Sequence, residues 1–575
     1  MGTIRRRRRW VLLAAAAALS VVSAGLPARA AGPGLPSLLG SPQPSCDWPM
    51  YGGGPARTMS SDCPGAPSVS SAGTLVPAWH VHTPDVVTAT PTIYRGVVYV
   101  GDWGGNFFAL DLQTGQQLWK TVVGPAAATP YRDQHRGAYG TITSSAAVAA
   151  VKGEDMVFVG GGGSLYALDA SSGAIVWRTD FDPAHSTSSG EVESSPLVWE
   201  SAPGGPTVFV GSDANQDSGY TGEGIWALDA QTGQVRWHWN PETAAGKALY
   251  GCGNVWSSPA LGLDTGGDAT HRAVLYFGTA DCPDNSGTPC PSDNSDPLCP
   301  AGQQYNYADR WSQYSESLIA LSVGTPVPTP LWSYQAHPPL SNDDDDYGAS
   351  AQLFDLPDGT PVVGLAGKDG YYMVVDRDTG KLVWRSAETG NGNVQPGFAL
   401  GGFIGTTAVG EVAAAPRVFG GVAINTPVTY DSNGNPVLQD PATLVRGVPG
   451  FQAFSGSTGA NAWSGAQGYS YGPTSTANGV VYTGSLDGVF RALDAATGQP
   501  LWAFPLGAPI SSGAAIGNGT VVIGQGTSES DVEFKACADQ APAALRQACE
   551  QTPLNQTLNP LGDLGGVWAF QAAPA

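Results

Sequence analysis

The chain has 575 residues and a formal net charge of −22 at pH 7, with 78 glycines, 46 prolines and only 13% charged residues. That length allows several domains, but so acidic a chain is a poor partner for nucleic acid or an anionic membrane surface, both of which call for a basic patch. Its eight cysteines include no C-x-x-C, which excludes a zinc ribbon and a covalently attached haem.

Residues 1–30 read as a signal peptide. Arg5 to Arg9 form a basic stretch, Val11 to Val22 an apolar one, and Ala28-Arg29-Ala30 an A-x-A cleavage site. The apolar run is too short and too alanine-rich for a membrane span, and no second run of spanning length follows. Cleavage would remove six arginines and no acid, leaving a formal charge of −28. The chain is therefore expected to be secreted, by the general or the twin-arginine route. An even cysteine count outside the cell predicts disulfides. Neighbours in sequence make the simplest pairing: Cys46 with Cys63, Cys252 with Cys282, Cys290 with Cys299, and Cys537 with Cys549. Residues 31–75, rich in Pro, Gly and Ser, are expected to wrap the outside of the fold as coil.

From residue 76 a repeat takes over. Its clearest copy, A-L-D-x-x-T-G-x-x-x-W, spans 492–502, with near-copies at 109–119, 167–177 and 227–237. A looser copy ends at Trp384, and degenerate ones end at Trp332 and Trp463. The first unit, LVPAWHVHT with Trp79, keeps only the tryptophan strand. The last, GGVWAFQ at 565–571, keeps only the strand before the turn. Joined, these two halves make an eighth unit. Self-similarity at this period marks a repeat architecture. Each unit reads as short strands, such as GVVYVGD at 96–102 and GVVYTGS at 479–485, separated by turn residues. In the turn, Asp accepts backbone N–H bonds and Gly takes a positive φ. The tryptophan is an apolar plate for the gap between sheets. The predicted fold is all-β: an eight-bladed β-propeller whose ring is closed by strands from both termini. Insertions are expected near 281–316, 410–450 and 526–560. Closure by both termini removes an open sheet edge.

A second repeat locates the channel. Each unit carries a short Ser/Thr/Ala/Pro stretch: TATPTI from Thr88, TSSAAV from Thr143, ESSPLV from Glu193 and WSSPAL from Trp256. GASAQL from Gly348, GTTAV from Gly405, GPTSTA from Gly472 and SSGAAI from Ser511 complete the set. Small residues suit the crowded innermost strand. Glu193 and Trp256 fall in one register at the mouth of the channel, where the other six positions are small.

The run NDDDDYGAS, 342–350, leads into an innermost strand and brings four adjacent aspartates to that mouth. Their mutual repulsion is costly unless a cation or a base function uses them; otherwise they form a solvated acidic loop. G-x-S-x-G at 468–472 has no strand-turn-helix around it and reads as a chance match in a glycine-rich chain. The insertion DCPDNSGTPCPSDNSD at 281–296 lacks the ordered spacing of a calcium loop.

The run from Leu331 to Trp384, LWSYQAHPPLSNDDDDYGASAQLFDLPDGTPVVGLAGKDGYYMVVDRDTGKLVW, resembles pyrroloquinoline-quinone (PQQ) alcohol dehydrogenases, most closely their polyvinyl-alcohol dehydrogenase branch. The resemblance implies PQQ and calcium as cofactors. It implies Asp345, with Asp346 beside it, as the carboxylate that takes the alcohol proton. It places Trp256, in CGNVWSSP, under the planar quinone, and Lys368, in AGKDGYY, and Arg136, in HRGAY, as cofactor contacts. Glu193 occupies the register from which the family offers a threonine to the cofactor. Asp281, in LYFGTAD, stands where the family has a calcium-binding Asn, and Asp345 would share the ion. The family's G-S-G-G-E calcium loop reads here VGSDANQDSGYTGEG, leaving Asp213, Asp217 or Glu223 as substitutes. The family's adjacent-cysteine disulfide is missing. An alcohol substrate and a separate electron acceptor are implied, since no haem is encoded. The other function class is a non-catalytic propeller that binds protein or glycan partners. Glu193 and the altered calcium loop favour it, whereas Trp256, Lys368 and the aspartate run favour the enzyme.

Overall fold

The structure, a computed structural model, describes residues 46–124, 141–181, 192–213, 222–246, 253–263, 273–280, 312–336, 346–387, 402–423, 450–465, 470–527 and 565–573, together with Gly468 and short pieces within 389–437. All lie in the larger of two compact units, Leu35–Ala575; the smaller, Met1–Gly34, which holds the expected signal peptide, is outside the described residues.

Eight antiparallel sheets follow one another in chain order, each a meander from an innermost to an outermost strand. Blades 1 to 7 span 92–122, 147–180, 197–239, 260–335, 352–385, 408–465 and 475–505. Blade 8 is the split one. Its inner strands are Ala514–Gly517 and Thr520–Gln525, its third is Gly565–Ala572, and its outermost is Leu75–Thr83. Trp79 pairs with Ala569 and Thr83 with Gly565, so the two chain ends close the ring as the half-repeats required.

The repeat has a concrete physical job. The Trp119 indole donates to Ala170 O at 3.0 Å, Trp79 to Leu112 O at 2.9 Å and Trp177 to Ala230 O at 3.0 Å, each in the next blade. Trp332, Trp384, Trp463 and Trp502 do the same to Arg377, Gly456, Ala495 and Leu75. Six of these seven plates, all but Trp502, rest on the turn glycine of that next blade. At Gly173, with φ +72°, a Cβ would stand 2.5 Å from the Trp119 ring. The glycine is therefore required twice, for its left-handed backbone and for the close approach. The Asp of A-L-D holds the turn: Asp111 Oδ1 accepts from Thr114 N at 2.9 Å and Thr114 Oγ1 at 2.7 Å, and the Thr114 hydroxyl bond keeps this carboxyl below its ordinary pKa.

The Ser/Thr stretches form a belt just above the innermost strands. Thr90 N donates to Ser145 Oγ at 2.8 Å, Ser145 N to Ser195 Oγ at 3.0 Å and Ser195 N to Ser258 Oγ at 2.8 Å. Ser258 N then donates to Ser350 Oγ at 3.2 Å, and Ser350 N to Thr406 Oγ1 at 2.8 Å. Each hydroxyl, itself buried, thus satisfies a backbone donor of the preceding blade.

Residues 46–61 correct the expectation of an outer coil. They run along the free edges of the innermost strands, inside the channel. Asn518 N, of blade 8, donates to Cys46 O at 3.0 Å, and Ile93 N, of blade 1, to Trp48 O at 2.9 Å. Val148 N, of blade 2, donates to Pro49 O, Leu261 N, of blade 4, to Pro55 O, and Leu353 N, of blade 5, to Ala56 O. Val409 N, of blade 6, donates to Thr58 O, and Ser60–Ser61 adds a parallel fifth strand to blade 7. The Arg57 side chain reaches blade 3. The Cys46–Cys63 disulfide joins the two ends of this circuit. The other six cysteines lie outside the described residues.

Candidate active site

The upper end of the ring is the end at which innermost strands begin and second strands finish. The segments 192–195, 253–258 and 346–350 arrive there before the innermost strands of blades 3, 4 and 5. The loop 367–371 arrives there after Pro361–Ala366, the second strand of blade 5. The belt fixes their relative registers. Ser195 N on Ser258 Oγ puts Glu193 and Trp256 at equivalent positions of adjacent blades, as the sequence alignment of the small-residue stretches implied.

Three of the sequence candidates come together. Lys368 N donates to Asp346 O at 3.1 Å, and Lys368 Nζ donates to Asp346 Oδ2 at 3.0 Å. Their side chains are only 13% and 9% exposed, so this is a partly desolvated ion pair, stronger than one at the surface. The same ammonium lies 5.5 Å from the centroid of the half-buried Trp256 ring, a cation–π distance. Gly348, which the sequence reading used only as a strand marker, explains how Trp256 fits. A Cβ at Gly348 would stand 1.8 Å from the indole, so the bare backbone presses on the ring and fixes its plane.

Glu193 is half-buried in the adjoining segment. Asp213 follows the second strand of blade 3, Thr207–Ser212, and is also half-buried. Asp345, Arg136 and Asp281 lie outside the described residues, as does Asp217. Among the described residues no group of three or more His, Cys, Asp and Glu side chains is close enough to hold a metal ion.

Glu223 occupies a different setting from the one its place in the altered calcium loop suggested. It is fully buried, with Asn240 Nδ2 donating to its Oε1 at 3.3 Å. A Cβ on Gly253 would lie 2.8 Å from its Cγ. Burial, followed by the neighbouring Glu242 carboxyl, pushes its pKa well above the usual carboxylate range. Of this pair, Glu223 packs against Gly253, in the segment that carries Trp256. Sequence reading could not find it, because Glu242 sits in the four-residue helix Pro241–Ala244 and belongs to no repeat position.

A planar aromatic face, a cation 5.5 Å from its centroid and a carboxylate holding that cation thus meet at one end of the propeller. The family profile "PQQ: Glucose/ethanol/alcohol dehydrogenase, beta-propeller domain" matches residues 48–261. Over those residues the chain is similar to the PQQ-type alcohol dehydrogenase propellers. It is 25% identical over 529 residues to a lupanine 17-hydroxylase [cytochrome c] of Pseudomonas sp, covering 82% of this chain and 71% of that one. It is 25% identical over 441 residues to a polyvinylalcohol dehydrogenase of Pseudomonas sp, covering 74% and 54%, so it spans about half the length of that relative. Among solved structures, the quinohemoprotein alcohol dehydrogenase of Comamonas testosteroni shares the fold at a TM-score of 0.62 and 18% identity, over 92% of this chain and 81% of that one. A europium-containing methanol dehydrogenase does so at 0.59 and 18%, over 92% and 98%. No helix among the described residues is long and apolar enough to cross a membrane.

Proposed function

We propose that the protein is an exported, PQQ- and calcium-dependent alcohol dehydrogenase-like oxidoreductase that passes electrons to a separate acceptor. The observation that carries this reading is the Lys368–Asp346 pair held 5.5 Å from the face of Trp256. The residues present fit the group. Trp256, braced by Gly348, offers a flat apolar surface to a planar ring system. Lys368 offers a cation to its oxygens, with Arg136 as a second basic contact. When bound, the quinone supplies a two-electron acceptor for a substrate hydride.

The chain's own residues do the rest. Asp346 orients Lys368 and keeps its ammonium over the ring. Asp345, next in sequence, takes the proton of the alcohol hydroxyl as general base. Asp281 and Asp345, with Asp213, supply hard oxygen ligands of the kind calcium takes. Glu193, a carboxylate beside a carboxylate-bearing cofactor, needs that cation to screen it. Export rests on the signal peptide read in residues 1–30.

The mature chain, incubated with PQQ and calcium, should reduce an artificial electron-accepting dye with primary and secondary alcohols and with polyvinyl alcohol. Asp345→Asn should keep the cofactor and lose turnover. A wild-type chain that binds PQQ with none of these alcohols as substrate would overturn the activity. A chain that binds no PQQ leaves the non-catalytic protein- or glycan-binding propeller, the reading that Glu193 favours.

A further inference from the structure

The ring of residues 46–63 does not treat all blades alike. Blades 1, 2 and 4 to 8 exchange backbone bonds with it near their innermost strands, whereas blade 3 is reached by a side chain. Two side chains of the ring reach further, and both serve the arc that carries the candidate site. Arg57 is fully buried. Its Nη2 donates to Ser195 O at 3.0 Å and Pro196 O at 3.1 Å, its Nε donates to Pro259 O at 2.9 Å, and its Nη1 donates to Tyr51 O. One planar fork therefore ties the segment after Glu193 to the segment after Trp256. Tyr51 Oη donates to Thr406 Oγ1 at 2.8 Å, the same oxygen that accepts from Ser350 N at 2.8 Å. Ser350 lies two residues beyond Gly348 and four beyond Asp346. Gln352 completes the brace: its Nε2 donates to Arg57 O at 3.1 Å and to Thr407 O at 2.6 Å. Burial lowers Arg57 to about 9 and raises Tyr51 to about 12, so both keep their usual charge at neutral pH.

We propose that Arg57 and Tyr51 are positioning residues, which from the floor of the channel hold the three segments bearing Glu193, Trp256 and Asp346 at fixed spacing. The proposal rests on the reading of those residues as the cofactor site. It assigns no contact between the ring and the cofactor. The ring acts through the belt: Arg57 on Ser195 and Pro259, and Tyr51 on Thr406 and through it on Ser350.

Two variants of the full mature chain test it. Arg57→Lys keeps a cation but cannot fork between blades. Tyr51→Phe removes one hydroxyl and leaves the ring packed, so it folds even if Arg57→Lys does not. Amide hydrogen exchange is followed at Ser195, Ser258 and Ser350, with Thr90 on the far side of the belt as reference, and PQQ affinity is measured in parallel. Tyr51→Phe should speed exchange at Ser350, and Arg57→Lys at Ser195 and Ser258, by about tenfold with Thr90 unchanged. PQQ dissociation constants should rise by about tenfold in both variants. Unchanged exchange at those amides, or equal acceleration at Thr90, would overturn the proposal and leave the two side chains as general fold residues. A wild type that binds no PQQ would defeat the functional reading alone, because the exchange pattern still decides the positioning role. Restored PQQ binding without restored exchange in any second-site variant would likewise count against it.

Discussion

Lys368 and Asp346 are each buried on the strength of the other, and that sets what their loss should do. Lys368→Met would strand a carboxylate that is 9% exposed, a type of change that costs about 3–5 kcal/mol, whereas removing both charges together is often near neutral. In urea unfolding, Lys368→Met should therefore be less stable than the double variant Lys368→Met/Asp346→Asn. Equal stabilities would mean that the pair is solvated and Asp346 does not hold the ammonium. Gly348→Ala makes a sharper local test. A Cβ 1.8 Å from the indole forces Trp256 or its loop to shift, an overpacking that costs about 1–3 kcal/mol. Its thermal midpoint should fall and the fluorescence of Trp256 should change; an unaltered midpoint would show that the loop is slack. Trp256 and Lys368 were legible in the sequence because each breaks a repeat of small residues or stands in a recognisable motif. Gly348 was not, because its necessity arises only where blades 4 and 5 meet. Arg57 was missed for a related reason. It sits in a Pro/Gly/Ser-rich stretch that reads as coil, and the carbonyls it binds, from Ser195 to Pro259, lie far along the chain.

Between elements, the tryptophan of one blade and the turn glycine of the next form the working joint. Trp119 is 9% exposed and hydrogen-bonded across the gap, so Trp119→Ala should cost about 3–5 kcal/mol. The sequence showed that the motif repeats and that Gly needs a positive φ. It did not show that the plate seats on the neighbouring glycine, since nothing within one repeat reports its neighbour. The split blade carries a second, pH-dependent joint. His80, on Leu75–Thr83, stacks on Trp568 of Gly565–Ala572 with ring centroids 3.9 Å apart. Burial, followed by the nearby His82, lowers its pKa to about 4. The unfolded chain takes up this proton near pH 6.5, its usual value, while the folded chain does not until about pH 4. The neutral imidazole's contribution is thus complete above about pH 6.5 and declines as the pH falls towards 4. The thermal midpoint should drop over that interval, and His80→Phe, which keeps a ring against Trp568, should flatten the drop. Identical slopes would place the acid sensitivity elsewhere.

At the scale of the whole molecule, closure and floor are both made by sequence-distant ends. Gly565–Ala572 lies between Leu75–Thr83 and Thr520–Gln525, so deleting 565–571 exposes two strand edges at once. Such a truncation should abolish cooperative unfolding rather than trim it, a loss that calorimetry would show directly; a sharp transition near the wild-type midpoint would mean that the ring does not depend on its split blade. Eight blades and terminal closure could be read from the half-repeats. The internal ring could not, because its partners are drawn from every blade and one of its bonds, Tyr51 to Thr406, spans 355 positions of sequence. The central claim is that a quinone lies against Trp256 under the control of Lys368. It is tested most directly by equilibrium titration of the mature chain with PQQ in the presence of calcium, following tryptophan quenching and quinone absorbance, in wild type, Trp256→Ala and Lys368→Met chains whose far-UV dichroism matches. Saturable binding by wild type, lost in both variants, is the predicted result. No saturation by wild type at high micromolar PQQ, or equal affinity in all three chains, would contradict it.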